Sequence, residues 1–185
     1  MRVVQAPEVY DKSGFELACF LAGGCSSTDW SERVLKYLNK YTLNHLVVYN
    51  PYNPNIESQF KQIEWEFNYL NNYINDHFIF SVYFDKYTDQ PISMYELGRA
   101  SVLSKPVSVS ISCTDDPYRS RSDRFSYYVN HGFPIIVSVH PEAPKKQDII
   151  CQCGLAKVEV KERTPEEHAK EIIFWYNDFK RQMGV

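Results

Sequence analysis

The sequence predicts a doubly wound α/β fold, with a mainly parallel five-stranded sheet and helices on both faces, and three observations carry that expectation. Short apolar runs at Phe15 to Leu21, Leu46 to Tyr49 and Phe78 to Phe84 alternate with segments whose apolar residues recur every three or four positions. The run from Phe78 to Phe84 is nearly unbroken, the pattern of a strand covered on both faces. The alternation of strand and helix occurs four times in order, and right-handed crossovers between parallel strands then place helices on both sides, as in Rossmann and flavodoxin-like sheets.

The 185 residues are enough for one hydrophobic core, so residues 1–185 are expected to form a single domain. Hydrophobic residues make up 44% and charged residues 23%, the balance of a globular chain rather than a disordered one. The net charge of −3 supplies no positive field for a nucleic-acid duplex, so none is expected as a partner. No apolar run approaches the ~20 residues of a membrane span, and the start Met1-Arg2-Val3-Val4 has no signal-peptide apolar region. A cytoplasmic protein is expected, with no membrane partner.

The elements follow in order. The first strand, Phe15 to Leu21, ends in Ala22-Gly23-Gly24, a tight turn whose backbone amides are open to a ligand. A helix over Asp29 to Lys40, capped by Thr28 or Asp29, turns Trp30, Val34, Leu38 and Tyr41 inward. Leu46 to Tyr49 runs into Asn50-Pro51-Tyr52-Asn53-Pro54-Asn55, a loop of the kind that carries sites. In the next helix Phe60, Ile63, Phe67, Leu70 and Ile74 form the expected core stripe, leaving Trp65, Tyr69 and Tyr73 for a subunit interface or for cover by a later segment. Phe78 to Phe84 is the central strand. Pro91 opens a helix over Ile92 to Ser104, Pro106 to Ile111 is a fourth strand, Pro134 to Val139 a fifth, and Ala156 to Val160 an extra edge strand. Thr164-Pro165-Glu166-Glu167 is a capping box that starts a last helix with Ala169, Ile172, Ile173, Tyr176 and Phe179 inward.

Five cysteines (Cys19, Cys25, Cys113, Cys151, Cys153) show no framework spacing, and reduced thiols are the simplest account. Cys151 and Cys153 with His131 and His140 match no metal-ligand spacing, so no metal is expected. Ser26, Ser27 and Thr28 form a hydroxyl-rich helix start suited to capping or to a 5′-phosphate. Arg119, Arg121 and Arg124 are offset by Asp115, Asp116 and Asp123 in what reads as a solvated loop. The sharpest local signal is Gln90-Pro91-Ile92-Ser93-Met94-Tyr95-Glu96-Leu97-Gly98. Glu96 sits early in a helix that follows the central strand, where the helix dipole favours an ionised carboxylate and ligands approach the sheet.

Phe20-Leu21-Ala22-Gly23-Gly24, Asn50-Pro51, Gln62-Ile63-Glu64-Trp65-Glu66 and Gln90-Pro91-Ile92-Ser93-Met94-Tyr95-Glu96-Leu97-Gly98, in that order, resemble the nucleoside 2-deoxyribosyltransferase-like family across residues 15 to 111. The resemblance implies cleavage of an N-glycosidic bond without metal or organic cofactor. Glu96 would be the nucleophile, and Asp85 or Asp89 the second carboxyl, favoured over Asp76 because they lie at the strand's exit. Gly23, Gly24, Ser26, Asn50, Gln90 and Tyr95 would line the substrate site, and a homo-oligomer, most simply a dimer, is expected. Gln90 stands where the transferases carry an acidic residue, and Cys19 or Phe20 stands where relatives place a tyrosine. Those departures keep two alternatives open: a nucleotide N-glycosidase or NAD-cleaving hydrolase, and a non-catalytic nucleotide-binding module.

Overall fold

Strand β4 (Phe78–Phe84) is buried along its whole length, and the rest of the sheet is arranged around it. The computed structural model describes residues 1–24, 29–56, 58–72, 77–87, 91–103 and 133–185. Six strands, β1 (Arg2–Gln5), β2 (Leu17–Gly23), β3 (Leu46–Asn50), β4, β5 (Ile135–Val139) and β6 (Val160–Glu162), stand in the order β1-β3-β2-β4-β5-β6. All five pairings are parallel. Among the described residues five helices alternate with the strands: α1 (Asp29–Leu38), α2 (Gln59–Asn72), α3 (Pro91–Leu103), α4 (Lys146–Leu155) and α5 (Pro165–Met183). The expected doubly wound α/β architecture is therefore present, with six strands among the described residues where five were expected.

The sheet has two cores because strand residues alternate in direction. Phe78, Phe80, Val82 and Phe84 pack with Trp65, Tyr69, Leu97, Ile149 and Cys153, contributed by α2, α3 and α4. Ile79 and Tyr83 pack with Trp30, Val34, Ala169, Ile172 and Tyr176, contributed by α1 and α5. The capping box of α5 forms as predicted: Glu167 N–H donates to Thr164 Oγ1 at 3.3 Å, and Thr164 N–H donates to the Glu167 carboxylate at 2.8 Å.

Three sequence expectations need correction. The additional strand β1 pairs with β3 at the sheet edge, where Val4 alone of its four residues is buried, so the segment carries little apolar signal. The additional helix α4 buries Ile149 and Cys153 between Pro134–Val139 and the edge strand, which itself begins at Val160. The expected strand at Pro106 to Ile111 lies outside the described residues, and β4 pairs directly with β5, so no strand stands between them.

The third correction concerns the rotation of α2. Phe60, Ile63 and Phe67 face solvent, whereas Trp65, Tyr69 and Leu70 face the core. Among the described residues, what covers Trp65 and Tyr69 is the chain after β1, within the same subunit. Trp65 Nε1 donates to the Glu8 carbonyl at 2.6 Å, and Tyr10 N–H donates to the Tyr69 hydroxyl at 2.8 Å. Their rings lie against Tyr49, at centroid distances of 6.2 Å and 4.3 Å. Two indole and phenol groups can be buried there because two backbone groups satisfy them. Tyr73 and Ile74 lie outside the described residues. In α1, Tyr41 likewise lies beyond the helix end and is exposed.

Candidate active site

In a doubly wound sheet the ligand crevice opens where strand order reverses, at the carboxyl ends of the strands. Here the reversal lies between β2 and β4: the chain leaves β2 toward β3 on one side and returns to β4 on the other. Gly23 is in register with Tyr83 across that boundary. The carboxyl ends therefore bring together Gly23 and Gly24 after β2, Asn50 ending β3, and Asp85 after β4, with α3 starting six residues beyond Asp85.

The two glycines serve Trp30. A Cβ at Gly23 would lie 2.3 Å from the Trp30 ring, and Trp30 Nε1 donates to the Gly24 carbonyl at 3.1 Å. Trp30 in turn stacks on Tyr83 at 5.4 Å. At Gly23 the turn is thus built for close approach of an indole, which is a packing reason for glycine there. Ser26, with Ser27 and Thr28, lies outside the described residues.

Glu96 is on the second turn of α3 and is only 8% exposed. Burial, with the nearby charge of Glu66, pushes its carboxyl up to about 8. The expectation that the helix dipole keeps it ionised is therefore reversed, because desolvation of a buried carboxylate outweighs a dipole effect of about 1 kcal/mol. Glu66 on α2 is 9% exposed and is likewise pushed upward by burial. Its Oε1 accepts from Gln62 Nε2 at 2.8 Å, a bond that favours the ionised form. The helix rotation that buries Trp65 and Tyr69 carries Glu66, the neighbour of Trp65, toward α3. The two helices touch one turn farther along, where the Arg99 guanidinium lies over the Phe67 ring at 4.5 Å.

Asp85 is almost wholly buried. Its Oδ1 accepts from Lys86 N–H at 2.7 Å, and Oδ2 has no hydrogen-bond partner among the described residues. Its charge acts on Tyr83, helping burial to raise that phenol, rather than on Glu96. Asn50 is buried and its Oδ1 accepts from Tyr52 N–H at 3.3 Å, bracing the loop after β3. Tyr95, although next to Glu96 in sequence, is 73% exposed and points away from it, as a helix advance of about 100° per residue requires. Asp76, Asp89 and Gln90 lie outside the described residues.

Glu66 is a buried carboxyl that the expected core stripe of Phe60, Ile63 and Phe67 does not bring inward; the observed inward turn of Trp65 and Tyr69 does.

A second polar cluster lies on the opposite face, inside the core. His168 is fully buried, with Nε2 2.6 Å from Ser81 Oγ and Nδ1 2.7 Å from Ser138 Oγ. Arg163 reaches Ser138 Oγ at 3.1 Å and Glu171 at 2.9 Å. Burial and the Arg163 charge drive the His168 imidazole down to about 3, so it is neutral at physiological pH. Cys19, hydrogen-bonded to Ser81, is pushed up by burial to about 12 and is an unreactive thiol. Cys153 is buried and raised to about 11, and His140 Nδ1 accepts from Glu142 N–H at 3.1 Å.

Among the described residues no helix is long and apolar enough to cross a membrane. The profile of the family described as nucleoside 2-deoxyribosyltransferase like matches residues 16–114, a span holding β2, β3, β4 and both glutamate-bearing helices. No curated protein matches the chain.

Proposed function

Because the chain belongs to the nucleoside 2-deoxyribosyltransferase-like family, we propose that it cleaves the N-glycosidic bond of a 2′-deoxynucleoside or deoxynucleotide with Glu96 as nucleophile. The observation that carries the reading is the buried Glu96 carboxyl, set on the helix that follows the central strand and accompanied by a second buried carboxyl. In its ionised form one Glu96 oxygen attacks the anomeric carbon. The C–N bond breaks with its electron pair going to the base nitrogen, and a deoxyribosyl ester of Glu96 remains. A second base or water then takes the sugar and regenerates the carboxylate. Such a transition state has oxocarbenium character, which an adjacent carboxylate stabilises. Asp85, whose buried Oδ2 has no partner among the described residues, supplies an acceptor at the same end of the sheet for a substrate hydroxyl or N–H.

The reading is tested with a panel of deoxynucleosides, deoxynucleoside monophosphates, ribonucleosides and NAD, each with and without a free acceptor base. Base release from deoxy substrates, lost in Glu96→Ala, is the expected result. A 2′-hydroxyl withdraws electron density from the developing cation, so ribonucleosides turn over more slowly. Release from NAD or ribonucleosides at equal rates points instead to a general N-glycosidase. No release from any substrate, with tight binding retained, points to a binding module.

The reading extends to assembly. Phe60, Ile63 and Phe67 on α2 and Ile92 and Tyr95 on α3 are exposed, and each set is spaced as a helix-packing ridge. Lys61, Glu64 and the partly exposed Arg99 border them with both signs of charge, so the face complements itself under a two-fold axis. A second copy of the chain is the proposed occupant.

A further inference from the structure

We propose that Gln5 and Asn53 are positioning residues: they clasp the chain after β1 to the loop after β3, and so hold the Asn50 carboxamide with its NH2 free to donate to an acceptor oxygen or nitrogen of the substrate. The inference rests on the reading of the crevice as a nucleoside site and adds to it two residues that do not touch substrate. Strand β1 runs beside β3 in register, from Arg2 with Val47 to Gln5 with Asn50. The segment beyond β1 therefore passes the loop that borders the carboxyl end of the sheet, where ligands bind. Ala6, fully buried, gives its N–H to the Asn50 carbonyl at 3.3 Å.

Two side chains close the clasp from opposite directions. Gln5 Nε2 donates to the Tyr52 carbonyl at 2.7 Å, and Asn53 Nδ2 donates to the Ala6 carbonyl at 2.5 Å. Asn53 Oδ1 also accepts from Asn55 N–H at 2.9 Å, so both ends of its amide are used, which an aspartate could not match because it has no donor. The relay to Asn50 passes through one residue. Tyr52, held at its carbonyl by Gln5, gives its N–H to Asn50 Oδ1 at 3.3 Å. With that oxygen engaged, Asn50 keeps its NH2 as the free end, and no described residue accepts from it. Asn50 is more than nine-tenths buried, and a buried amide with two donors to spare at the ligand end of the sheet is a recognition group. The far end of the strap is fixed independently, since Glu8 accepts from Trp65 Nε1 at 2.6 Å and the Tyr10 carbonyl accepts from the Tyr49 hydroxyl at 3.1 Å. The strap therefore cannot slide along the loop that it holds.

Gln5→Leu and Asn53→Asp each remove one donor of the clasp, and near-ultraviolet circular dichroism checks that the fold is intact. The expected result in both is a KM for base release raised about two- to tenfold, the worth of one hydrogen bond, at unchanged kcat, because Asn50 loses its position while Glu96 is untouched. A second readout needs no turnover: hydrogen exchange at the Tyr52 amide, the donor to Asn50, quickens in both variants. An unchanged KM in folded variants that turn over substrate, or a loss confined to kcat, overturns the proposal. If the parent protein releases base from no substrate, the N-glycosidase reading fails by itself, and the Tyr52 amide then decides the clasp: quickened exchange upholds it and unchanged exchange overturns it.

Discussion

The Trp30 indole occupies the place where a side chain at Gly23 would begin: a carbon there would sit 2.3 Å from the ring. The indole cannot retreat cheaply, being stacked on Tyr83 and hydrogen-bonded to the Gly24 carbonyl. The strand-end turn and the first helix are thereby locked to β4 at the point where the strand order reverses.

Gly23→Ala is accordingly expected to destabilise the fold by about 1–3 kcal/mol, the usual cost of forcing extra volume into a packed site. Urea unfolding followed by Trp fluorescence measures it. A variant as stable as the parent would mean that Trp30 is free to move.

The raised Glu96 carboxyl gives the reaction a pH signature. With the nucleophile protonated in the free enzyme below about 8, kcat/KM for base release rises roughly tenfold per pH unit on the acid side and levels off above about 8. A profile that falls as pH rises through that range would make Glu96 a proton donor.

How much of this was visible in the sequence depended on whether the signal was local. β4, the capping box at Thr164 and the start of α3 at Pro91 each carry their pattern within a few residues, and all three were legible. The rotation of α2 was not, because Phe60, Ile63 and Phe67 form as good an apolar stripe as Trp65 and Tyr69. The choice is made by the distant Glu8 and Tyr10 backbone groups that satisfy the indole and the phenol. Strand β1 was hidden for a related reason: its pairing with β3 is non-local and buries only Val4. The positions of Glu96 on the helix after the central strand and of Asp85 at that strand's exit were legible from the order of elements. Glu66 was lost with the helix rotation, and the ionisation of Glu96 was misjudged because burial, which outweighs the dipole, is a property of the packed state.

The buried histidine makes the fold sensitive to acid. His168 is neutral when folded, held down to about 3, but protonates near 6.5 when unfolded. Its contribution is present in full above about 6.5 and is lost as pH falls toward 3, at up to about 1.4 kcal/mol per pH unit. Chemical denaturation across that range measures the slope. His168→Gln, which cannot titrate, flattens it by about one proton, and an identical slope in the variant would assign the acid sensitivity elsewhere.

The exposed ridges on α2 and α3 predict a dimer at micromolar concentration that Phe67→Glu splits into folded monomers. Sedimentation equilibrium measures both species. A wild-type monomer would remove the interface.

The central claim is that Glu96 becomes covalently bonded to the sugar, and acid-quenched intact-mass analysis during turnover of a deoxynucleoside tests it most directly. The account predicts a single 2-deoxyribosyl addition, mapped by proteolysis to the peptide containing Glu96 and absent in Glu96→Gln. Base released by Glu96→Gln at the wild-type rate, or an adduct on another residue, would contradict it.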